Sequence, residues 1–225
     1  MSKSITIEQI ASTAAFQGLT LEQVKEMLSR TGVIVKHFHK GDYVYLSGDI
    51  IENLCLVFHG QVQIIREDAW GEKSIVDSVM NGECFGENGF GTRVPSVLNY
   101  YVTKDCDIFM LPFNRMTLSV IQDAGIYSRF FSNFAAILAA TSSRLIDKVD
   151  ILGKKTLRGK IMTYLEQQAL SHGSEVVQIP FSRTDLASYL DADRSAMTRE
   201  LGRMAQEGIV SFQKNTFTIP KQRKV

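Results

Sequence analysis

Residues 181–204, Phe181-Ser-Arg-Thr-Asp-Leu-Ala-Ser-Tyr-Leu-Asp-Ala-Asp-Arg-Ser-Ala-Met-Thr-Arg-Glu-Leu-Gly-Arg-Met, constrain this chain more than any other stretch. Ser182 is placed to cap a short helix running to about Leu190. Asp191-Ala-Asp makes a tight turn, and Asp193 caps a second helix. Leu186, Ala187, Leu190, Met197, Leu201 and Met204 fall where the two helices press together. Arg194, Ser195, Thr198 and Arg199 are left pointing outward near the start of the second helix. That end of a recognition helix is what meets base edges in the major groove of DNA. The arginine fork matches guanine O6 and N7, and Ser and Thr reach bases or phosphates. Ser182, Arg183, Arg203 and Lys214 complete the candidate DNA-contacting set, with the three cations placed to hold backbone phosphates. The tail from Gly208 to Ile219 reads as a hairpin with Lys214-Asn215 at its tip, so the expected module is a winged helix-turn-helix. An αα-hairpin with an exposed polar face and no DNA is the weaker alternative, because caps, arginines and wing occur together.

Charge supports this placement. Residues 1–150 carry 13 Lys+Arg against 17 Asp+Glu, whereas residues 151–225 carry 12 against 7. A basic final third behind an acidic body suits a module that faces nucleic acid. No run approaches the roughly 20 apolar residues needed to span a bilayer, and Met1-Ser-Lys-Ser does not begin a signal peptide. Cys55, Cys84 and Cys106 are scattered and odd in number, which reads as reduced thiols in a cytoplasmic protein.

The 225 residues suit two modest domains. Residues 5–31 look helical, with a break near Gly18 and a Thr cap ahead of Leu21. From Val33 to about Leu111, β-branched and aromatic runs such as Leu54-Cys-Leu-Val-Phe and Val62-Gln-Ile-Ile alternate with glycine turns, among them His59-Gly and Asn81-Gly. Such spacing indicates an antiparallel sandwich or barrel. A helix pattern returns from about Arg115 to Leu152. Within it Phe134, Leu138, Thr141, Leu145, Val149 and Leu152 follow steps of four and three, close to a coiled-coil seam with one polar seat. We read them as a dimer seam, since the helix is apolar beyond what one sheet face needs. Gly153 is read as a hinge. The expected class is α+β: a β-roll domain with N-terminal helices over 1–114, a dimerisation helix over 115–152, and a winged helix-turn-helix over 153–225.

In this arrangement the chain resembles the CRP/FNR family of bacterial transcription regulators over nearly its whole length. Leu190-Asp-Ala-Asp-Arg-Ser-Ala-Met-Thr-Arg-Glu-Leu is similar to the family's recognition region, and Arg199 matches its second, base-reading arginine. The position after the first arginine is a glutamate in many members and is Ser195 here, so the family's operator sequence is not carried over. The resemblance implies a homodimer on an inverted-repeat operator, RNA polymerase as protein partner, and an effector at the junction of roll and long helix.

The effector is less legible. The nucleotide-binding members carry Phe-Gly-Glu, present as Phe85, Gly86 and Glu87, followed by an Arg-Ser pair that holds the cyclic phosphate. The corresponding stretch, Arg93-Val-Pro-Ser-Val-Leu, has no such pair, and Ser96 or Val97 takes its place. The base would meet the long helix near Thr141 or Leu145. An unneutralised phosphate in a partly buried pocket is costly, which argues against cyclic AMP. Phe85-Gly-Glu then reads as a turn kept for the fold. Residues 1–54 lack the cysteines of an iron–sulfur sensor. A haem would need His37, His39 or His59 as axial ligand, and a thiol sensor would use Cys84. No cofactor is assigned. A cupin-like metal enzyme is disfavoured: His37-Phe-His39 offers one alternating pair, no carboxylate follows at a persuasive spacing, and no catalytic motif is present.

Overall fold

The computed structural model describes residues 5–119 and 124–219. It forms two compact units, one from residues up to 72 with 76–141, the other from 73–75 with residues 142 onward. The long helix is therefore not a domain of its own. Its first half belongs to one unit and its second half to the other. Residues 120–123, expected within that helix, and the basic Lys221, Arg223 and Lys224 lie outside the described residues.

The first unit opens with α1 (Ile7–Ala11) and α2 (Leu21–Thr31). The Thr20 side chain accepts from the Gln23 amide while the Gln23 side chain accepts from the Thr20 amide, a reciprocal box that fixes the start of α2. The sheet comprises β1 (Ile34–Phe38), β2 (Tyr43–Tyr45), β3 (Asn53–Glu67), β4 (Lys73–Met80), β5 (Cys84–Phe85) and β6 (Asn99–Pro112). Its path is β1-β6-β3-β4, with β2 beside β6 and β5 beside β3. The described partners of β6 and β5 run antiparallel to them, as the strand texture predicts. His59-Gly60, expected as a turn, instead lies within the 15-residue β3. The register with β6 slips there, and Gly60 has φ of 99°. A Cβ on Gly60 would collide with the Asp105 carbonyl oxygen and the Cys106 sulfur. A glycine that looks like a strand break is thus a bulge that lets one long strand bend.

The sheet closes on helix α3 (Phe113–Ser119) and on α4 (Ala124–Leu152). Ile126, Tyr127, Phe130 and Phe134 recur at helical spacing and are all buried in the same core as Phe16, Val57, Ile108 and Phe109. This corrects the seam assignment at its first position. Phe134 is 4% exposed and lies 5.0 Å from the ring of Phe90 and 6.2 Å from that of Phe113. It packs into the roll and cannot face a second helix. By contrast Leu138, Leu145, Val149 and Leu152 leave large apolar side chains exposed, together with Ile146.

In the second unit, α4 ends at Leu152 and Thr156 caps α5 (Leu157–His172). Gly153 keeps an ordinary negative φ, so the turn needs no glycine freedom, contrary to the reason given for a hinge. A three-stranded sheet, β7 (Val176–Gln178), β9 (Thr216–Thr218) and β8 (Ser211–Gln213) in that order, stands beside α6 (Arg183–Tyr189) and α7 (Arg194–Gln206). Ile161, Leu165, Leu186, Leu190, Met197, Leu201, Met204 and Phe217 are buried here, as the apolar pattern requires.

Candidate nucleic-acid interface and effector cavity

Two caps set the angle between α6 and α7. Ser182 Oγ accepts from the Asp185 amide at 3.1 Å, and Asp185 returns the bond to the Ser182 amide at 3.3 Å. Asp193 Oδ1 accepts from the Ala196 amide at 2.7 Å. Between them Asp191 has φ of 49°, a left-handed conformation that Asp tolerates better than branched residues. Lys160 Nζ, from α5, donates to the carbonyls of Leu190 at 3.0 Å and Asp191 at 3.2 Å, which places a cation on the C-terminal end of α6.

The turn puts the start of α7 at the surface. Arg194, Ser195, Thr198 and Arg199 are all exposed, while Met197 and Leu201 of the same helix are buried. Thr198 Oγ donates to the Arg194 carbonyl at 2.9 Å. The other end of α7 is clamped: Arg158 of α5 bonds Glu200 at 2.6 Å and Glu207 through two nitrogens at 2.6 and 2.9 Å. The bond from Arg158 holds the Glu207 carboxyl below its ordinary range. Sequence reasoning missed Arg158 and Lys160, because a cation in α5 gives no local sign that its partners lie 30 or more residues away. Arg203 is exposed beside Glu200 at 3.5 Å, and Lys214 sits exposed at the wing tip with φ of 52°, as a tight two-residue hairpin turn demands.

Arg183 is the exception among the expected phosphate contacts. Its guanidinium lies 4.7 Å from the ring centre of Phe212 and 4.6 Å from that of Phe217, and donates to the Lys214 carbonyl at 2.7 Å. Burial lowers its pKa from the usual value. The side chain is spent on holding the wing to α6, through cation–π contact and a charge-assisted bond. Ser182 Oγ is likewise engaged, donating to Asp185 Oδ2 at 2.8 Å.

In the first unit the Phe-Gly-Glu stretch is built as structure. Phe85 is 1% exposed and stacks on Tyr100 at 5.3 Å, so it belongs to the core and not to a ligand surface. Gly86 has φ of 86°, and a Cβ there would meet the Asn53 carbonyl oxygen at 2.5 Å. Gly86→Ala is therefore expected to destabilise this unit by about 2–4 kcal/mol, from left-handed strain and overpacking together. A thermal melt matching the unsubstituted protein would refute that. Glu87 is buried, and its Oε2 has no hydrogen-bond partner among the described residues.

Next to this turn lies a cavity of about 660 Å³ lined by Ile50, Ile51, Gly89, Phe90, Arg93 and Phe113 among others. Of the expected effector residues only Arg93 lines it; Phe85, Gly86, Glu87, Ser96, Val97, Thr141 and Leu145 do not. Ser96 is used internally, its Oγ accepting from the Leu98 amide and its carbonyl from the Gly48 amide, and Val97 is 60% exposed. The cysteines are all buried. Burial pushes the Cys55 thiol far up and that of Cys106 to about 11, which disfavours the reactive thiolate at both.

Comparison with known proteins agrees with this geometry. Residues 35–118 match the cyclic nucleotide-binding domain family, and residues 159–224 match the Crp-like helix-turn-helix domain family. A roll of the first kind with a helix-turn-helix of the second defines a DNA-binding transcription regulator and not an enzyme. The chain belongs to the CRP/FNR family. It is 24% identical over 181 residues to the nitrogen fixation regulation protein FixK of Bradyrhizobium diazoefficiens, covering 78% of this chain and 73% of that protein. It is 22% identical over 197 residues to the cAMP-activated global transcriptional regulator Vfr of Pseudomonas aeruginosa, covering 83% and 91%. In fold it is similar to the c-di-GMP responsive global regulator CLP of Xanthomonas campestris, with a TM-score of 0.72, 16% identity, and 90% and 100% of the two chains covered. Among the described residues no helix is long and apolar enough to cross a membrane.

Proposed function

We propose that this chain is an effector-controlled, sequence-specific regulator that binds an inverted-repeat operator as a homodimer in the cytoplasm and acts on RNA polymerase. The observation that carries the reading is the exposed cluster Arg194, Ser195, Thr198 and Arg199 on the first turns of α7, held rigid by caps at both ends of the turn. The uncovered apolar positions Leu138, Leu145, Val149 and Leu152 on α4 support a partner helix in the dimer. An effector can switch such a protein only by binding two of its states with different affinity.

The effector is a small molecule other than cyclic AMP. Supporting this, Arg93 is the only cation on the cavity wall among the described residues, and the stretch from Arg93 to Leu98 contains no Arg-Ser pair.

Selection of bound DNA from a random pool, at near-physiological salt, tests the reading. Recovery of an inverted repeat supports it. Recovery of no consensus, with and without cell extract as effector source, overturns it. On the selected operator, Arg199→Ala is expected to lose about 1–3 kcal/mol of specific binding and to relax base preference at one position in each half-site. Equal affinity of variant and parent would remove Arg199 from the recognition surface.

A further inference from the structure

Three of the four histidines in the chain lie in the first unit near two aspartates of β6: His37 in β1, His39 one residue past its end, and His59 in β3. The rings of His37 and His39 lie 4.8 Å apart. His37 stands opposite Asp107 in the β1–β6 register, and His59 stands opposite the same Asp107 from the other side, in the β3–β6 register. Asp105, two residues before Asp107, lies on the same face. One ligand atom from each of His37, His39 and Asp105 lies within 4.8 Å of the others, and all three residues are exposed. We propose that His37, His39 and Asp105 form a binding site for a divalent transition-metal ion of the zinc type, with Asp107 orienting His37.

The donor set fixes the chemistry. Two imidazoles and a carboxylate suit zinc, cobalt, nickel and their neighbours, whereas magnesium and calcium call for all-oxygen shells. Metal–ligand bonds of about 2.0–2.2 Å put adjacent donors about 3–3.5 Å apart, so small rotations of exposed side chains close the present spacing. The outer arrangement is already in place. Asp107 Oδ1 takes the His37 Nδ1 hydrogen at 2.8 Å, which leaves the second ring nitrogen for the metal. The Lys40 amide donates to Asp105 Oδ1 at 2.8 Å and holds that carboxylate in position. The Gly60 bulge brings β3 close to Asp105 and Cys106, with His59 opposite Asp107 in the register. Cys106 lies between the two aspartates in sequence, is buried, and therefore faces the other way. The site sits wholly in the first unit and does not depend on the DNA-binding reading.

The test uses the purified full chain, stripped with a chelator, and zinc or cobalt chloride alone. Calorimetry is expected to show one zinc per chain, undisturbed by excess magnesium, and cobalt is expected to give a visible absorption band. His39→Gln and Asp105→Asn should each weaken binding by about tenfold or more, and Asp107→Asn by about 10–100-fold, while His172→Gln leaves it unchanged. These side chains are exposed or lie at the sheet surface, so metal-free melts of the variants should coincide with the parent. Histidine NMR signals give a readout that needs no variant: zinc should shift those of His37 and His39 and leave His172 in place. Absence of zinc binding, or binding that survives the His39→Gln and Asp105→Asn substitutions together, overturns the proposal.

Discussion

Replacing Phe217 with alanine is expected to destabilise the second unit by about 3–5 kcal/mol and to abolish DNA binding at temperatures where the parent is folded. Phe217 is fully buried on β9, the middle strand of the small sheet, opposite Val177 on one side and Phe212 on the other. Its ring lies 5.6 Å from that of Phe212 and also beneath the Arg183 guanidinium. Alanine would leave a cavity at the centre of a three-stranded sheet, where little neighbouring structure can relax into it. It would also strip the aromatic cover from a partly buried cation whose Nη1 has no hydrogen-bond partner among the described residues. The wing would then lose the contact that ties it to α6. Urea unfolding followed by circular dichroism measures the effect. A loss below about 1 kcal/mol would mean that the wing is not anchored through this ring.

Leu145→Lys is expected to convert a dimer into a monomer without unfolding either unit. Leu145 is 43% exposed in the single chain, so a lysine there has water available and the isolated fold is indifferent to it. Across a two-fold seam the same change brings two ammonium groups into an apolar contact. Each costs several kcal/mol to desolvate, and they repel each other. Sedimentation of the variant and the parent at matched concentration decides the matter. A variant that sediments as an intact dimer would show that α4 does not meet its partner at this position. A monomeric variant with an unchanged melting profile would place the seam there. Its operator affinity should then fall too, because two half-sites would no longer be bound by one linked pair of recognition helices.

Much of the second unit was legible because its signals are local. Ser182 and Asp193 cap helices that begin one residue later, and an Asp near φ of 49° makes the turn between them. The outward arginines are fixed by helix period once Met197 and Leu201 point inward. Where a side chain had two partners to choose from, periodicity misled. Phe134 fits a heptad as well as it fits the roll, and the roll takes it because Phe90 and Phe113 offer a ready aromatic pocket. Arg183 looks like a phosphate contact in sequence, yet Phe212 and Phe217, some 30 residues on, draw it beneath the wing. His59-Gly60 looks like a turn because a glycine marks both turns and bulges, and only the partner strand distinguishes them.

The sequence by itself determined the order of the parts, the recognition helix with its exposed arginines, and the lack of an Arg-Ser pair between Arg93 and Leu98. These follow from caps, periods and residue identities within one or two turns of chain. Tertiary structure alone decided which face Phe134 and Arg183 serve, which residues line the cavity, and that Asp105 and Asp107 stand beside His37 and His39. Those pairs are separated by about 65–70 residues. Only strand pairing brings them within reach, and the pairing register is set by the whole buried face of the sheet.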